Sequence, residues 1–558
     1  MSGLRYSGLA FLVVAGVAAH RPLAGSGSPA ADCRPGAAVS LRIAATTDVH
    51  GHVRGWNYYE NRADPDRGLA RAATIIDSVR EANSGRTILV DAGDLLQGTP
   101  LAYVAARQMK ASRNPIIAAM NAMHYDAAAI GNHEFNYGLP YLDSAIAQAT
   151  FPMLAANVTR ANQMHAYTPF TLVNRDGVSV GIIGATTPGS NLWDAANLTK
   201  AKLHVDDIVP AVRSAVAGAR AKGANAIVVV LHSGLNEPSS YDTVGTAVAS
   251  ENVAARVAAE VSGIDVVVYG HSHRENPGQM IGRTLVIQPK NWATSVAVAT
   301  LPLACGADRR WSTLPAAGVV IQSARRAEET VVVQAVDRSH RATVAYVNST
   351  IGTTPDTWRA DSARMTPTAL TGFILDVERR VTNADLASTA AFDLRARIGP
   401  GPITVAQLAQ LYPYENTLRA VRISGAQLKA YIEHSNRYYR TEPAGALVPD
   451  TSVAGYNFDV VSGVSYTVDV SRPAGERVTT LIYRGKPVAP GDSFTLALNN
   501  YRQTGGGGYA MLRDAPVVYD KQEEIRQLLI DEVRRKREIR ATDYDMKNWS
   551  FAKPGTAQ

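Results

Sequence analysis

Cysteine is almost absent: Cys33 and Cys305 are the only two in 558 residues. That scarcity excludes a disulfide-built scaffold and a thiolate-rich zinc site. The two flank the first domain, so a single bridge and two separate thiols are both open readings. Long apolar runs are scarce as well. The one near the N-terminus, Leu9 to Ala19, follows Arg5 and precedes small residues. It is too short to span a bilayer and has the form of a secretory signal. Residues 1–32 are therefore expected to be signal peptide and disordered start, and the mature protein to be exported, periplasmic or extracellular, with no membrane span. Ala30-Ala31-Asp32-Cys33 is a poor lipid-attachment sequence. A nucleic-acid module is also missing. The net charge of +7 is diffuse, and its densest run, Arg534 to Arg537, falls on a charged amphipathic helix whose solvated face accounts for it. Such a balance suits anionic substrates, and nothing in the sequence reports an oligomeric state.

What is present is a core large enough for at least two domains, with 46% hydrophobic and 19% charged residues. Short runs rich in aliphatic and β-branched residues recur at 41–46, 87–90, 127–130, 178–184, 226–231, 266–269 and 284–288. Ala-rich helical stretches, including 68–80 and 207–222, lie between several of them. That alternation predicts a layered α/β domain over 40–335.

The residues after the strands carry the chemistry. Thr47-Asp48-Val49-His50-Gly51 follows the first run, Asp91-Ala92-Gly93-Asp94 the second and Gly131-Asn132-His133-Glu134 the third; His232-Ser233-Gly234 and Gly270-His271-Ser272-His273 follow later ones. A lone histidine on an apolar strand is usually a core residue. Five strand ends that all stop at Asp, Asn or His beside Gly are not explained by packing, and loops at one edge of one sheet can converge. Carboxylate, imidazole and amide without thiolate suit Zn²⁺, Mn²⁺ or Fe²⁺. There are too many ligands for one ion, and two ions about 3.5–4 Å apart would clamp a phosphoryl oxygen and acidify a water between them.

These blocks, in this order, resemble the calcineurin-like metallophosphoesterases. The resemblance implies a β-sandwich flanked by helices and two divalent metal ions, one held by Asp48, His50, Asp94 and His273, the other by Asp94, Asn132, His232 and His271. His133 would be an acid beside the phosphate, with Asn136 as its hydrogen-bond partner.

Periodicity weakens around Pro355, which predicts a linker over 336–360 and a second domain over 361–545. There Gly401-Pro402-Ile403-Thr404-Val405, Leu411-Tyr412-Pro413-Tyr414-Glu415-Asn416, Ile423-Ser424-Gly425-Ala426-Gln427-Leu428, Tyr456-Asn457-Phe458-Asp459 and Asn499-Asn500-Tyr501-Arg502 resemble the α/β C-terminal domain of the secreted 5′-nucleotidase family. Two features depart from that pattern. Ala390-Ala391-Phe392-Asp393-Leu394-Arg395 replaces Asn-Gly-Gly-x-x-Arg, and Asn136 stands where Asp is common. Both look more like the 2′,3′-cyclic-nucleotide 2′-phosphodiesterase/3′-nucleotidase branch. The resemblance implies nucleotide substrates, with Arg395 near phosphate or ribose and Tyr412, Phe458 and Tyr501 as stacking aromatics. The alternatives are a 5′-nucleotidase/UDP-sugar hydrolase, another ester hydrolase on the same scaffold, or a nucleotide-binding protein without turnover.

Overall fold

A computed structural model describes residues 33–552 apart from 111, 242, 415 and 443–445. The expected signal segment lies outside the described residues, and among those described no helix is long and apolar enough to cross a membrane.

Two sheets are stacked in the first half. One runs in the order Trp311–Thr313, Ser295–Cys305, Ala38–Thr46, Thr87–Asp91, Ala127–Ala129, Met153–Leu154, and its last four strands are mutually parallel. The other has Thr284–Gln288, Val266–Tyr269, Ala226–His232 and Val178–Thr186 parallel at its centre, between antiparallel edge strands. Thr87–Asp91 and Ala226–His232 are apolar on both faces because both faces are covered, as parallel strands require. Ile43, Val90 and Ala127 of one sheet pack with Val180, Val228 and Val268 of the other in a shared core. Helices Leu69–Ala82 and Pro115–Ala122 cover one outer face, and Ile208–Ala221 and Ala254–Glu260 cover the other. Helix Ile208–Ala221 starts at Asp207, whose side chain accepts from Val209 N, and buries Ile208, Val212, Ala215, Val216 and Ala219 at three- and four-residue spacing.

The second half has its own core around a five-stranded sheet, Asp459–Ser462, Leu386–Ala390, Ser493–Asn499, Thr417–Ser424, Val517–Glu524. Two expected boundaries shift. The presumed linker 336–360 contains most of an 18-residue helix, Thr330–Val347, whose Val332, Val336 and Val347 are buried in the first core. Its runs of Val and Thr have low intrinsic helix preference, and packing overrides it. At the far end, Trp549–Phe551 pairs with Ser465–Val468, so the second unit extends past residue 545.

Cys33 and Cys305 are joined in a disulfide, with Cα atoms 5.5 Å apart. The closed loop spans 272 residues, for which chain entropy gives up to about 5 kcal/mol. Cys305→Ser, or reduction, is expected to lower the melting temperature of the metal-binding half by roughly 5–15 °C in thermal unfolding with and without reductant. An unchanged transition would mean that the bridge constrains little.

Candidate metal centre

The polar cluster sits where the parallel strands of both sheets end. Asp48, His50, Asp94, Asn132 and His133 follow strands of the first sheet; His232, His271 and His273 belong to the second. The expectation of one sheet edge is thus corrected: the sandwich brings two edges together, and each supplies part of the cluster.

Asp48, His50 and His273 offer ligand atoms within 4.8 Å of one another, and so do Asp94, His232 and His271. The Asp94 carboxylate faces both groups, with Oδ2 3.0 Å from His232 Nε2 and 3.7 Å from His50 Nε2. The rings are oriented from behind. His50 Nδ1 lies 2.9 Å from the Gln97 carbonyl oxygen and His232 Nδ1 2.9 Å from that of Ala92. A carbonyl only accepts, so each Nδ1 carries the proton and each Nε2 turns a lone pair inward. There His50 Nε2 meets His273 Nε2 at 3.0 Å, and His232 Nε2 meets Asn132 Oδ1 at 3.0 Å. Two lone pairs this close repel, which a cation between them relieves, and an oxygen and imidazole set without thiolate fits a divalent ion of the zinc, manganese or iron type. The electrostatics favour positive charge at this point: burial alone would lower the His232 imidazole, yet the Asp94 carboxylate pushes it up to about 10, so the position facing Asp94 takes a proton where no metal ion does.

The backbone pays for this convergence. Asp48, His50, Asp94, His271 and His273 all have positive φ, between 48° and 71°, a region that costs non-glycine residues roughly 1–3 kcal/mol. Gly270 has to be glycine, because a Cβ there would lie 2.0 Å from Thr47 Oγ1 and 2.7 Å from Asp48 Oδ2.

Four supporting residues were not singled out from sequence. Glu134 is fully buried and accepts from the backbone N–H of Asp94, Leu95, Leu96 and Gly131, locking two site loops together. Glu251 Oε1 is 2.7 Å from His271 Nε2, which leaves Nδ1 facing the cluster. Trp193 stacks on the same ring at 5.6 Å. Asp194 accepts from Asn136 Nδ2 at 2.8 Å. Glu134 stands in the Gly-Asn-His-Glu block and was legible there; the other three make contacts from loops distant in sequence and left no signal.

His133 stands beside the cluster. Its backbone N–H donates to Asp94 Oδ1 at 2.9 Å, its Nε2 is 3.9 Å from Asp94 Oδ2, and its Nδ1 lies 2.6 Å from Asn136 Oδ1. Burial disfavours the imidazolium, but the Asp94 charge and the Asn136 bond outweigh it and hold the ring above its usual range.

The second half revises the aromatic assignment. Tyr412 and Phe458 are 0% and 2% exposed and belong to the core, so neither can stack a ligand. Tyr501 is 37% exposed, with Tyr414 at 45% and Tyr456 at 42%. Burial raises the Tyr414 phenol, and the nearby phenols of Tyr456 and Tyr501 raise it further; Tyr501 in turn feels Glu251, the partner of His271. In Tyr412-Pro413-Tyr414 the first ring turns inward and the second outward, both edge-on to Phe392 at 4.9 and 5.1 Å. Arg502 fixes the patch: it bonds both Asp459 oxygens at 2.9 Å and donates to the carbonyls of Tyr456 and Gly506. Gly506 lies flush on Tyr501, since a Cβ would be 2.5 Å from the ring. The four-glycine stretch is therefore packed against the aromatic rather than acting as a loose linker. Arg395 is 75% exposed and is engaged by Asp393 at 3.1 Å, with Glu60 at 3.7 Å. Among the described residues, its hydrogen bonds and ion pairs go to Asp393 and Glu60 and not to the tyrosines or the cluster.

Fold and site thus define a two-domain α/β protein with a metallophosphoesterase-type centre. The calcineurin-like phosphoesterase profile matches residues 41–275, and the 5′-nucleotidase C-terminal domain profile matches residues 350–514. The chain is 31% identical to a 2′,3′-cyclic-nucleotide 2′-phosphodiesterase/3′-nucleotidase of Haemophilus influenzae, over 92% of this chain and 87% of that one. It is 30% identical to the trifunctional nucleotide phosphoesterase protein YfkN of Bacillus subtilis, over 92% of this chain but spanning 39% of that longer protein. A Staphylococcus aureus structure assigned as a 5′-nucleotidase superposes with a TM-score of 0.76 at 27% identity, covering 92% of this chain and all of its own. The chain belongs to the calcineurin-like phosphoesterases that carry a 5′-nucleotidase C-terminal domain.

If Asp94 serves both ligand groups, folded Asp94→Ala protein should hold neither ion tightly, and Gly270→Ala should weaken the Asp48 group first. Elemental analysis after dialysis reads this out. Two retained ions in Asp94→Ala would contradict the shared carboxylate.

Proposed function

We propose that the protein is a divalent-metal-dependent hydrolase of nucleotide phosphate esters, acting on 2′,3′-cyclic nucleotides and 3′-nucleotides. The observation that carries this is a pair of ligand groups with Asp94 facing both, and an exposed tyrosine patch of the second half within electrostatic reach of Glu251 beside them. The names of the relatives support the substrate class. Asp48, His50, Asp94 and His273 would hold one ion, and Asp94, Asn132, His232 and His271 the other. When bound, such a pair supplies an activated water and neutralises charge on the phosphoryl oxygens.

The chain's own residues do the rest. His133 is held with Nδ1–H on Asn136, so its Nε2 is free to carry a proton to the departing ribose oxygen. Tyr414 and Tyr501 offer faces on which a base can stack, each worth about 1–3 kcal/mol. The single disulfide and the apolar run Leu9 to Ala19 both favour export to an oxidising compartment.

The test is a panel of a 2′,3′-cyclic nucleotide, a 3′-nucleotide, a 5′-nucleotide and an aryl phosphodiester, with Zn²⁺ or Mn²⁺ supplied. A ribose alkoxide needs a proton far more than a nitrophenolate does, so His133→Ala should lose about tenfold or more on nucleotides beyond its loss on the aryl ester. Tyr414→Ala and Tyr501→Ala should cut nucleotide kcat/KM roughly fivefold to a hundredfold and spare the aryl ester. Tyr412→Ala should instead destabilise the fold by about 3–5 kcal/mol. Turnover of no member of the panel by metal-loaded protein would overturn the assignment, and preference for the 5′-nucleotide would overturn its regiochemistry.

A further inference from the structure

Asp194 has an unusual occupation for its place in the chain. It is the N-cap residue of helix Ala195–Ala201, and Asp is among the preferred caps, yet its side chain makes no capping bond. The carboxylate turns away from its own helix to Asn136, 58 residues distant, and Oδ1 accepts from Asn136 Nδ2 at 2.8 Å. The residue is buried, and among the described residues Oδ2 has no hydrogen-bond partner. A buried carboxylate oxygen left unpaired is costly, so this placement is poorly explained as a stabilising device. The same short helix also sends Asn197 Nδ2 to the Phe135 carbonyl oxygen at 3.0 Å, so two side chains from it grip the His133–Asn136 turn.

The consequence follows from the two ends of an amide. Asn136 can face His133 Nδ1 with its oxygen or, after a flip, with its NH₂ group. A carboxylate at the other end accepts only, so it binds the NH₂ end and forces the oxygen toward the imidazole. The oxygen then accepts a hydrogen bond from Nδ1–H and leaves Nε2 as the nitrogen that faces Asp94 and the cleft. The flipped amide would favour the opposite tautomer.

We propose that Asp194 is a positioning residue for His133, which it controls through the orientation of the Asn136 amide. The carboxylate stands one residue behind the histidine, and the intervening amide transmits its polarity. This rests on the reading of His133 as the group that protonates the leaving oxygen.

The experiment is a double-mutant cycle in the full-length metal-loaded protein. Asp194→Asn keeps the shape but lets the facing group donate as well as accept. It should cut kcat/KM for a 3′-nucleotide about tenfold, change an aryl phosphate less than about threefold, leave metal content unaltered and not lower the melting temperature. A carboxylate has no wrong end, so in the Asn136→Asp background the orienting contact is superfluous, and it sets two acids against each other. Asp194→Asn should therefore cost nothing there or raise activity. Asp194→Ala should repeat the pattern if the isosteric change is too mild. Equal loss on both substrates, the same loss in both backgrounds, or no loss in the wild-type background would overturn the proposal. Should His133→Ala lose equally on both substrates, the leaving-group reading fails instead; a background-dependent effect of Asp194→Asn would still mark the orienting contact.

Discussion

Four backbone N–H groups from two separate loops end on one buried carboxylate, Glu134. Burial and the neighbouring Asp94 charge both raise its pKa, and the backbone bonds to Leu95 and Gly131 oppose that rise. The geometry of the cluster depends on this clamp. It fixes the loop carrying Asp94 against the loop carrying Asn132 and His133, and so sets the distances among these three side chains. A glutamine could accept at one end only, so the register of the two loops is tied to the charge type at this position.

The clamp also makes the strained backbone tolerable. Five of the cluster's side chains stand on left-handed residues that no isolated loop would keep. They persist because the strands beneath them are buried on both faces and cannot yield. Thr87–Asp91 and Ala226–His232 are buried throughout, and His232 belongs to its strand rather than to a loop. The core of the sandwich thus acts on the site directly, holding its ligand atoms within a few ångströms of one another.

Much of this was legible in the sequence, for a definite reason. A strand covered on both faces must be an unbroken apolar run, so runs such as 226–231 and 266–269 marked their own ends, and the polar residue after each could be read as a site residue. Contacts between loops are not encoded that way. Asp194, Trp193 and Glu251 reach the site from segments with no periodic signature, and their partners could not be inferred from spacing. The tyrosines failed for a subtler reason: an extended chain would put Tyr412 and Tyr414 on one side, but the chain bends around Pro413 and turns the first ring into the core and the second outward, and nothing local says which side is the cleft. Helix Thr330–Val347 was hidden by its own composition, since Val and Thr are weak helix formers and only burial against the first core makes the helix worthwhile.

That helix bears on how the halves cooperate. It ties the second unit to the first core at one place, and Tyr103 donating to Gln527 at 2.5 Å and Arg107 paired with Glu524 at 3.1 Å tie it at another. With these contacts made, Tyr501 comes within electrostatic reach of Glu251, and Arg419 of the second half within reach of Asp194. Glu251 orients a cluster histidine, and Asp194 holds the amide that orients His133. The second unit therefore stands within electrostatic reach of the two carboxylates behind the chemistry. A base held by the tyrosines and a phosphate held at the cluster would then depend on one arrangement of the halves. Specificity and catalysis would be joined by these two carboxylates even though their residues lie in different domains.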